Sequence, residues 1–216
     1  MEKAMKSLLV VGIAILMVAS AHASFTFVGT DTTTGGNWIG KYGAAGYDAF
    51  GMAKNLTGGL SDSLLWGNLY STPAPSDNAL ALQNPTGGRA YNCAYSNSMF
   101  ELSLDLGTTE KQVAFYMDFG QLDGLHRALT IYTLDHQYTQ ADMYDFQATT
   151  GTDAHAMADG EWLIYKGSGH VDLKVLGAPS CGWANLGAVM IDPIPEPASM
   201  TLLALGGIGA LLRRRK

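Results

Sequence analysis

Phe100-Glu101-Leu102-Ser103-Leu104-Asp105-Leu106-Gly107 is the stretch from which the fold of this chain can be read. Apolar residues stand at 100, 102, 104 and 106, polar ones at 101, 103 and 105, and a glycine ends the run. A period of two is the mark of a strand, whose side chains point alternately to opposite faces. Downstream, Val113, Phe115 and Met117 share one face of a next strand ending near Asp118. Ala128–Asp135 is rich in β-formers, Trp162 alternates with Ile164, and Val171, Leu173 and Val175 alternate with Asp172 and Lys174. Ala188–Ile191 makes a short closing strand before Asp192-Pro193. Upstream, Phe25–Val28 and Gly46–Phe50 flank the turn-rich Thr32–Asn37. Residues 24–192 show no heptad, tandem repeat or long helical period. Strands at short spacing without intervening helices predict an all-β fold, an antiparallel β-sandwich, as one domain.

The composition narrows the function. The chain has 216 residues, 47% hydrophobic and only 15% charged, against roughly 25% charged in an ordinary soluble domain. Residues 1–23 carry a net of +1 and residues 193–216 a net of +3, so with −6 overall the middle holds −10. A domain that acidic lacks the clustered Lys and Arg that a phosphate backbone requires, and nucleic acid is excluded as a partner. Two cysteines are too few for a disulfide-dense scaffold or a four-thiolate zinc ribbon.

Both ends read as addresses. Lys3 and Lys6 precede the apolar run Leu8–Ala19, and Ala21-His22-Ala23 supplies small residues at a cleavage site. Residues 1–23 are expected to be a signal peptide, removed by signal peptidase to leave Ser24 as the mature N-terminus. At the other end, 193–199 forms a linker containing Pro195-Glu196-Pro197, 200–212 an apolar helix, and 213–216 the basic tail Arg213-Arg214-Arg215-Lys216. Such a helix is short for a bilayer, and the four cations would be held at the cytoplasmic face. A plain tail anchor is the alternative, but it has no use for a Pro-Glu-Pro just outside the apolar stretch.

These last elements, Pro195-Glu196-Pro197-Ala198-Ser199, the Leu/Gly-rich segment and the terminal arginines, resemble a PEP-CTERM sorting signal. The resemblance implies recognition by an exosortase, a membrane-embedded transpeptidase-like enzyme, with cleavage near the Pro-Glu-Pro. It further implies an inner-membrane precursor in a Gram-negative, exopolysaccharide-making bacterium, and then the cell surface or extracellular matrix. The middle region, from Asp31–Gly43 through Asn78–Gln83 and Val113–Asp118 to Gly160–Tyr165 and Gly169–Val171, resembles a galactose-binding-like β-jelly-roll module. The chain departs from that module after Asp118, where Phe119-Gly120-Gln121-Leu122-Asp123-Gly124 replaces its usual acidic and arginine turn.

Aromatics are the leading candidates for ligand contact, because pyranose C–H faces pack on flat rings. Trp38, Tyr42, Trp66 and Trp183 are the residues chosen, with Tyr47 and Trp162 beside them. Each has a packing alternative: Trp162 as core, Trp38 as a plug at the sandwich end. Cys93 and Cys181 are expected to form a disulfide in an exported domain, the alternative being two buried thiols. His126, His136, His155 and His170 lack any zinc spacing, so no metal residue is assigned; acidic loops around Asp118, Asp123, Asp135, Asp142 and Asp145 leave a structural calcium open. No nucleophile elbow, Walker loop or HExxH is present, and the chain is expected not to be an enzyme. The leading expectation is a surface or matrix protein that binds exopolysaccharide. A structural or adhesive protein with a protein partner is second, and a glycoside-active enzyme third.

Overall fold

The computed structural model describes residues 24–97, 99–117, 128–134, 154–158, 160–177 and 184–194. The expected signal and sorting helices lie outside the described residues. Among the described residues the chain forms fifteen strands and no helix. In chain order these are β1 (Ser24–Asp31), β2 (Gly46–Ala49), β3 (Ala53–Leu56), β4 (Ser61–Leu65) and β5 (Asn68–Ala74). There follow β6 (Leu82–Gln83), β7 (Arg89–Ser96), β8 (Met99–Asp105), β9 (Lys111–Tyr116) and β10 (Ala128–Leu134). The last are β11 (Ala154–Ala158), β12 (Trp162–Ser168), β13 (His170–Gly177), β14 (Ala184–Leu186) and β15 (Ala188–Pro193).

They assemble, with every named pair antiparallel, into a six-stranded sheet β1-β12-β9-β15-β2-β3, a five-stranded sheet β11-β10-β13-β8-β4 and a smaller sheet β14-β7-β5 with β6 against β7. The alternation read in the sequence does the packing. Phe100, Leu102 and Leu104 of β8, with Leu173 and Val175 of β13, meet Val113 and Phe115 of β9, Leu163 and Tyr165 of β12, and Val189 and Ile191 of β15 in one core between the two large sheets. Burying each such side chain contributes about 1.5–3 kcal/mol.

The other face of the six-stranded sheet is also covered. Ala114, Tyr116, Trp162, Ile164, Ala188 and Met190 form a second core with Trp38 and Leu82. Burial on both faces is why Ala188–Ile191 carries no polar alternate. The polar positions of the decisive stretch depart from the simple expectation: Glu101 and Ser103 are only 2% and 5% exposed. Lys174 stands opposite Glu101 in register and is equally buried, and burial pushes its ammonium below the ordinary lysine value. An acid and a base thus share a covered face instead of a solvated one.

The ladders also fix the two ends of the six-stranded sheet. Phe25 pairs with Gly167, Gly167 with Lys111, and Lys111 with Pro193, a row across β1, β12, β9 and β15. At the far end, Asp31 pairs with Trp162, Trp162 with Tyr116, Tyr116 with Ala188, and Ala188 with Ala49.

Candidate functional site

Between β1 and β2 the chain leaves the far end of the sheet at Asp31 and runs back over its outer face as a strap, residues 32–45. Asp31 starts the turn. Its Oδ1 accepts hydrogen bonds from the Thr33 N–H at 2.8 Å, the Thr33 hydroxyl at 2.8 Å and the Thr34 N–H at 3.0 Å. Its Oδ2 accepts from the Thr34 hydroxyl at 2.5 Å and the Tyr42 hydroxyl at 2.8 Å. Desolvation opposes ionisation here, but these donors outweigh it and hold the carboxyl well below the usual carboxylate range. Burial first, then the bond to Asp31 and its charge, raises the Tyr42 phenol above its ordinary value.

Glycine lets the strap lie close to its support. The Gly36 N–H donates to the Ala79 carbonyl at 2.8 Å, and the Gln83 N–H donates to the Gly36 carbonyl at 3.0 Å. A Cβ at Gly36 would sit 2.1 Å from the Ala81 carbonyl oxygen. Three aromatic handles complete the fastening: Trp38 Nε1 donates to the Gln83 carbonyl, Trp162 Nε1 to the Gly35 carbonyl, and the Tyr116 hydroxyl to the Leu80 carbonyl. Where the strap returns to the sheet, the Asp192 carboxylate accepts from the Gly43 N–H at 3.1 Å and the Ala44 N–H at 2.7 Å.

The strap and the sheet beneath it enclose a surface hollow of about 350 Å³, lined chiefly by Trp38, Ile39, Lys41, Tyr42, Tyr47 and Pro85. Two of the four chosen aromatics, Trp38 and Tyr42, come together in it. Trp38 is 4% exposed and packs 4.9 Å from Tyr47, centroid to centroid, so its indole is the floor and not an open platform. Tyr42 leans on Trp162 at 4.6 Å, and Trp162 on Tyr116 at 4.5 Å. Tyr42 and Tyr47 are half-buried, and Ile39 is 50% exposed at the rim. Such a lining can stack a sugar ring, with Lys41, whose ammonium donates to the Thr34 hydroxyl at 3.1 Å, at its edge.

A second hollow, of about 340 Å³, opens at the far end among Thr32, Thr33, Asn37, Leu80 and Glu161. The threonine run was legible as a turn and not as a site, because only folding brings residues 79–80 and 160–161 beside it. Trp66 lies elsewhere, half-buried in the short connection to β5, with its backbone in the left-handed region at φ 62°. That conformation is strained for a bulky residue. Trp183, Cys181, Pro195, Glu196, Pro197 and Arg213–Arg215 lie outside the described residues. Cys93 is buried on β7.

Two charged clusters went unread in the sequence. Lys54 of β3 bonds Asp48 of β2 at 3.0 Å and also bonds Asp62 of β4, tying the edges of the two large sheets together. Burial, with Asp62 nearby, pushes the Asp48 carboxyl up to about 6 despite the opposing bond from Lys54. On the five-stranded sheet, His170 meets Asp105 at 3.0 Å and Asp172 at 3.1 Å; the bond to Asp105 leads in raising the imidazole above its ordinary value. Among the described residues no group of three His, Cys, Asp or Glu side chains is placed to hold a metal ion. The acids and histidines between 118 and 127 and between 135 and 153, where calcium was left open, lie outside them.

Residues 193–216 match the family model described as the PEP-CTERM protein-sorting motif. The chain thus carries a sorting signal of the kind recognised by exosortases, which supports an exported, surface or extracellular protein. No curated protein and no solved structure matches the chain.

Proposed function

We propose that this is a non-catalytic cell-surface or matrix protein, delivered by an exosortase, that holds exopolysaccharide in the hollow beside the strap. One observation carries the binding half: Tyr42 and Tyr47 present half-exposed rings next to Lys41 over a Trp38 floor. Flat aromatic area with one polar anchor suits a carbohydrate ring, and the hollow falls at the small end of the range for ligand pockets. The sorting motif carries the delivery half. In this reading signal peptidase releases residue 24, and the 200–212 helix holds the precursor in the inner membrane of a Gram-negative cell until cleavage. Two antiparallel sheets around one core support a jelly-roll arrangement, and Cys93 and Cys181 are read as bridged, as the oxidising surroundings of an exported domain permit.

A second reading, a structural or adhesive protein, is favoured by β5. Among the described residues this strand pairs on one side only, and it exposes 57% of Leu69 and 39% of Tyr70, so a protein partner has an edge and two apolar side chains to meet. A glycoside-active enzyme would need a carboxylate pair such as Asp48 and Asp62. Lys54 bridges both, and the Asp62 side chain is only 4% exposed, which supports a structural role for the pair.

The test is calorimetric titration of the purified protein with exopolysaccharide from an exosortase-bearing host, with and without calcium. Saturable heat that vanishes in Tyr47→Ala and weakens in Lys41→Ala is the expected result. Absence of heat in both conditions would overturn the sugar reading and leave the adhesive one.

A further inference from the structure

From the sheet register we infer that the end of the sandwich carrying Ser24 and Pro193 is a docking surface for the sorting enzyme, with the β8–β9 turn Thr108-Thr109-Glu110 as a recognition element beside the Pro-Glu-Pro. The inference rests on the sorting reading above and extends it from the motif to the folded domain.

Reach is the first consideration. β15 is bonded to β9 from Ala188 to Pro193 and to β2 from Ala188 to Ile191, so its last residue is held in the sheet. Only Ile194 separates Pro193 from Pro195. A fully extended chain spans at most about 3.6 Å per residue, so Pro197 lies within about 14 Å of the end of the strand. An enzyme that grips the Pro-Glu-Pro therefore meets folded protein, unless it first breaks the pairing of an interior strand.

The second consideration is which surface it meets. Pro193 stands opposite Lys111, and the turn that leads into Lys111 is Thr108-Thr109-Glu110, exposed at all three residues. Ser24, the expected mature N-terminus, pairs with Ser168 in the neighbouring rung of the same row. Three inter-strand spacings separate β1 from β15, about 14 Å in all. In a precursor that still carries residues 1–23, both tethers thus leave one end of the domain, and that end faces the membrane. Charge favours an enzyme over lipid as the occupant. Near the row, Lys111, Lys166 and His170 are met by Glu110, Asp105 and Asp172, without the excess of basic residues that draws a surface to anionic headgroups.

The experiment follows processing of the full-length precursor by pulse–chase in an exosortase-bearing host. Thr109→Arg/Glu110→Arg is expected to slow cleavage about tenfold, equivalent to roughly 1.4 kcal/mol of recognition. Asp77→Arg, on a loop at the far end, should leave the rate unchanged. A twelve-residue Gly-Ser spacer between Ile194 and Pro195 should also slow cleavage, because it dilutes the docked surface relative to the motif. Protease resistance of each variant reports folding separately. Glu196→Gln is the control for the sorting reading, which fails if that variant is processed normally. If Glu196→Gln is blocked while the arginine pair is cleaved at the wild-type rate, the docking surface alone is refuted. Faster cleavage with the spacer would make the domain an obstacle and refute it too. Faster cleavage of the arginine pair, with new binding to anionic phospholipid vesicles, would assign the end to the membrane instead.

Discussion

Replacing Lys54 with methionine should destabilise the protein in a pH-dependent way. Lys54 joins Asp48 on the six-stranded sheet to Asp62 on the five-stranded one, and the Asp62 Oδ2 atom is buried without a hydrogen-bond partner among the described residues. At an effective dielectric near 20, a unit pair at the 3.0 Å Lys54–Asp48 separation is worth about 5 kcal/mol. The Lys54 side chain is 49% exposed, and screening reduces the expected loss to about 2–3 kcal/mol at pH 8. The sign follows from protons. The Asp48 carboxyl is raised from 3.8 to about 6, so the folded protein binds more protons than the unfolded chain in that window. Unfolding free energy should therefore fall as pH rises from about 4 to 6. Without the ammonium the carboxyl rises further, and the fall should continue towards neutral pH. Urea unfolding at pH 4, 6 and 8, followed by tryptophan fluorescence, measures this: the deficit of Lys54→Met should be smaller at pH 4, where the Asp48 carboxyl is protonated in both proteins and only the bond to Asp62 is lost. A deficit of equal size at all three values would refute the electrostatic account and leave only lost packing of the lysine stem.

Gly36→Ala should cost about 3 kcal/mol or more, since its Cβ would collide with the Ala81 carbonyl oxygen at 2.1 Å; a thermal melt within two degrees of wild type would contradict that. Asp31→Asn should lose about 1–2 kcal/mol at neutral pH. Because the folded-state carboxyl is held low, that contribution exists above pH 3.8 and disappears as pH falls through the folded value, so the two proteins should converge in strong acid. Thiol titration of the denatured, unreduced protein should count no free groups if Cys93 and Cys181 are bridged, and two if they are not.

The parts of the fold that the sequence made legible are those in which one face of a strand is apolar and the other is not. β8, β9, β13 and β1 were visible for that reason, and β15 by its apolar run. β7 was not, because Arg89–Ser96 buries Ala90, Asn92, Cys93 and Ala94 and shows no period of two. Asn92 is polar inside because its side-chain amide donates to the Phe50 and Gly187 carbonyls. β5 was hidden by its polar composition and Pro73. At the site, Trp38 and Tyr42 were legible as aromatics beside glycines. Tyr47 was named beside them, whereas the contributions of Lys41 and Pro85 depend on where the strap lands, and contacts such as Asp192 to Gly43, 149 residues apart, leave no local trace.

The placement of β15 bears on time as well as space. The strand between β9 and β2 is also the last of the described strands to be synthesised, and before it arrives β9 lacks one neighbour and the β2–β3 pair has no sheet to join. Closure of the strap waits for the same residues, through Asp192. Pairings this distant in sequence make for slow folding. A domain that cannot close until its last strand emerges stays unlocked through most of its synthesis, and the main sheet and the strap become rigid together.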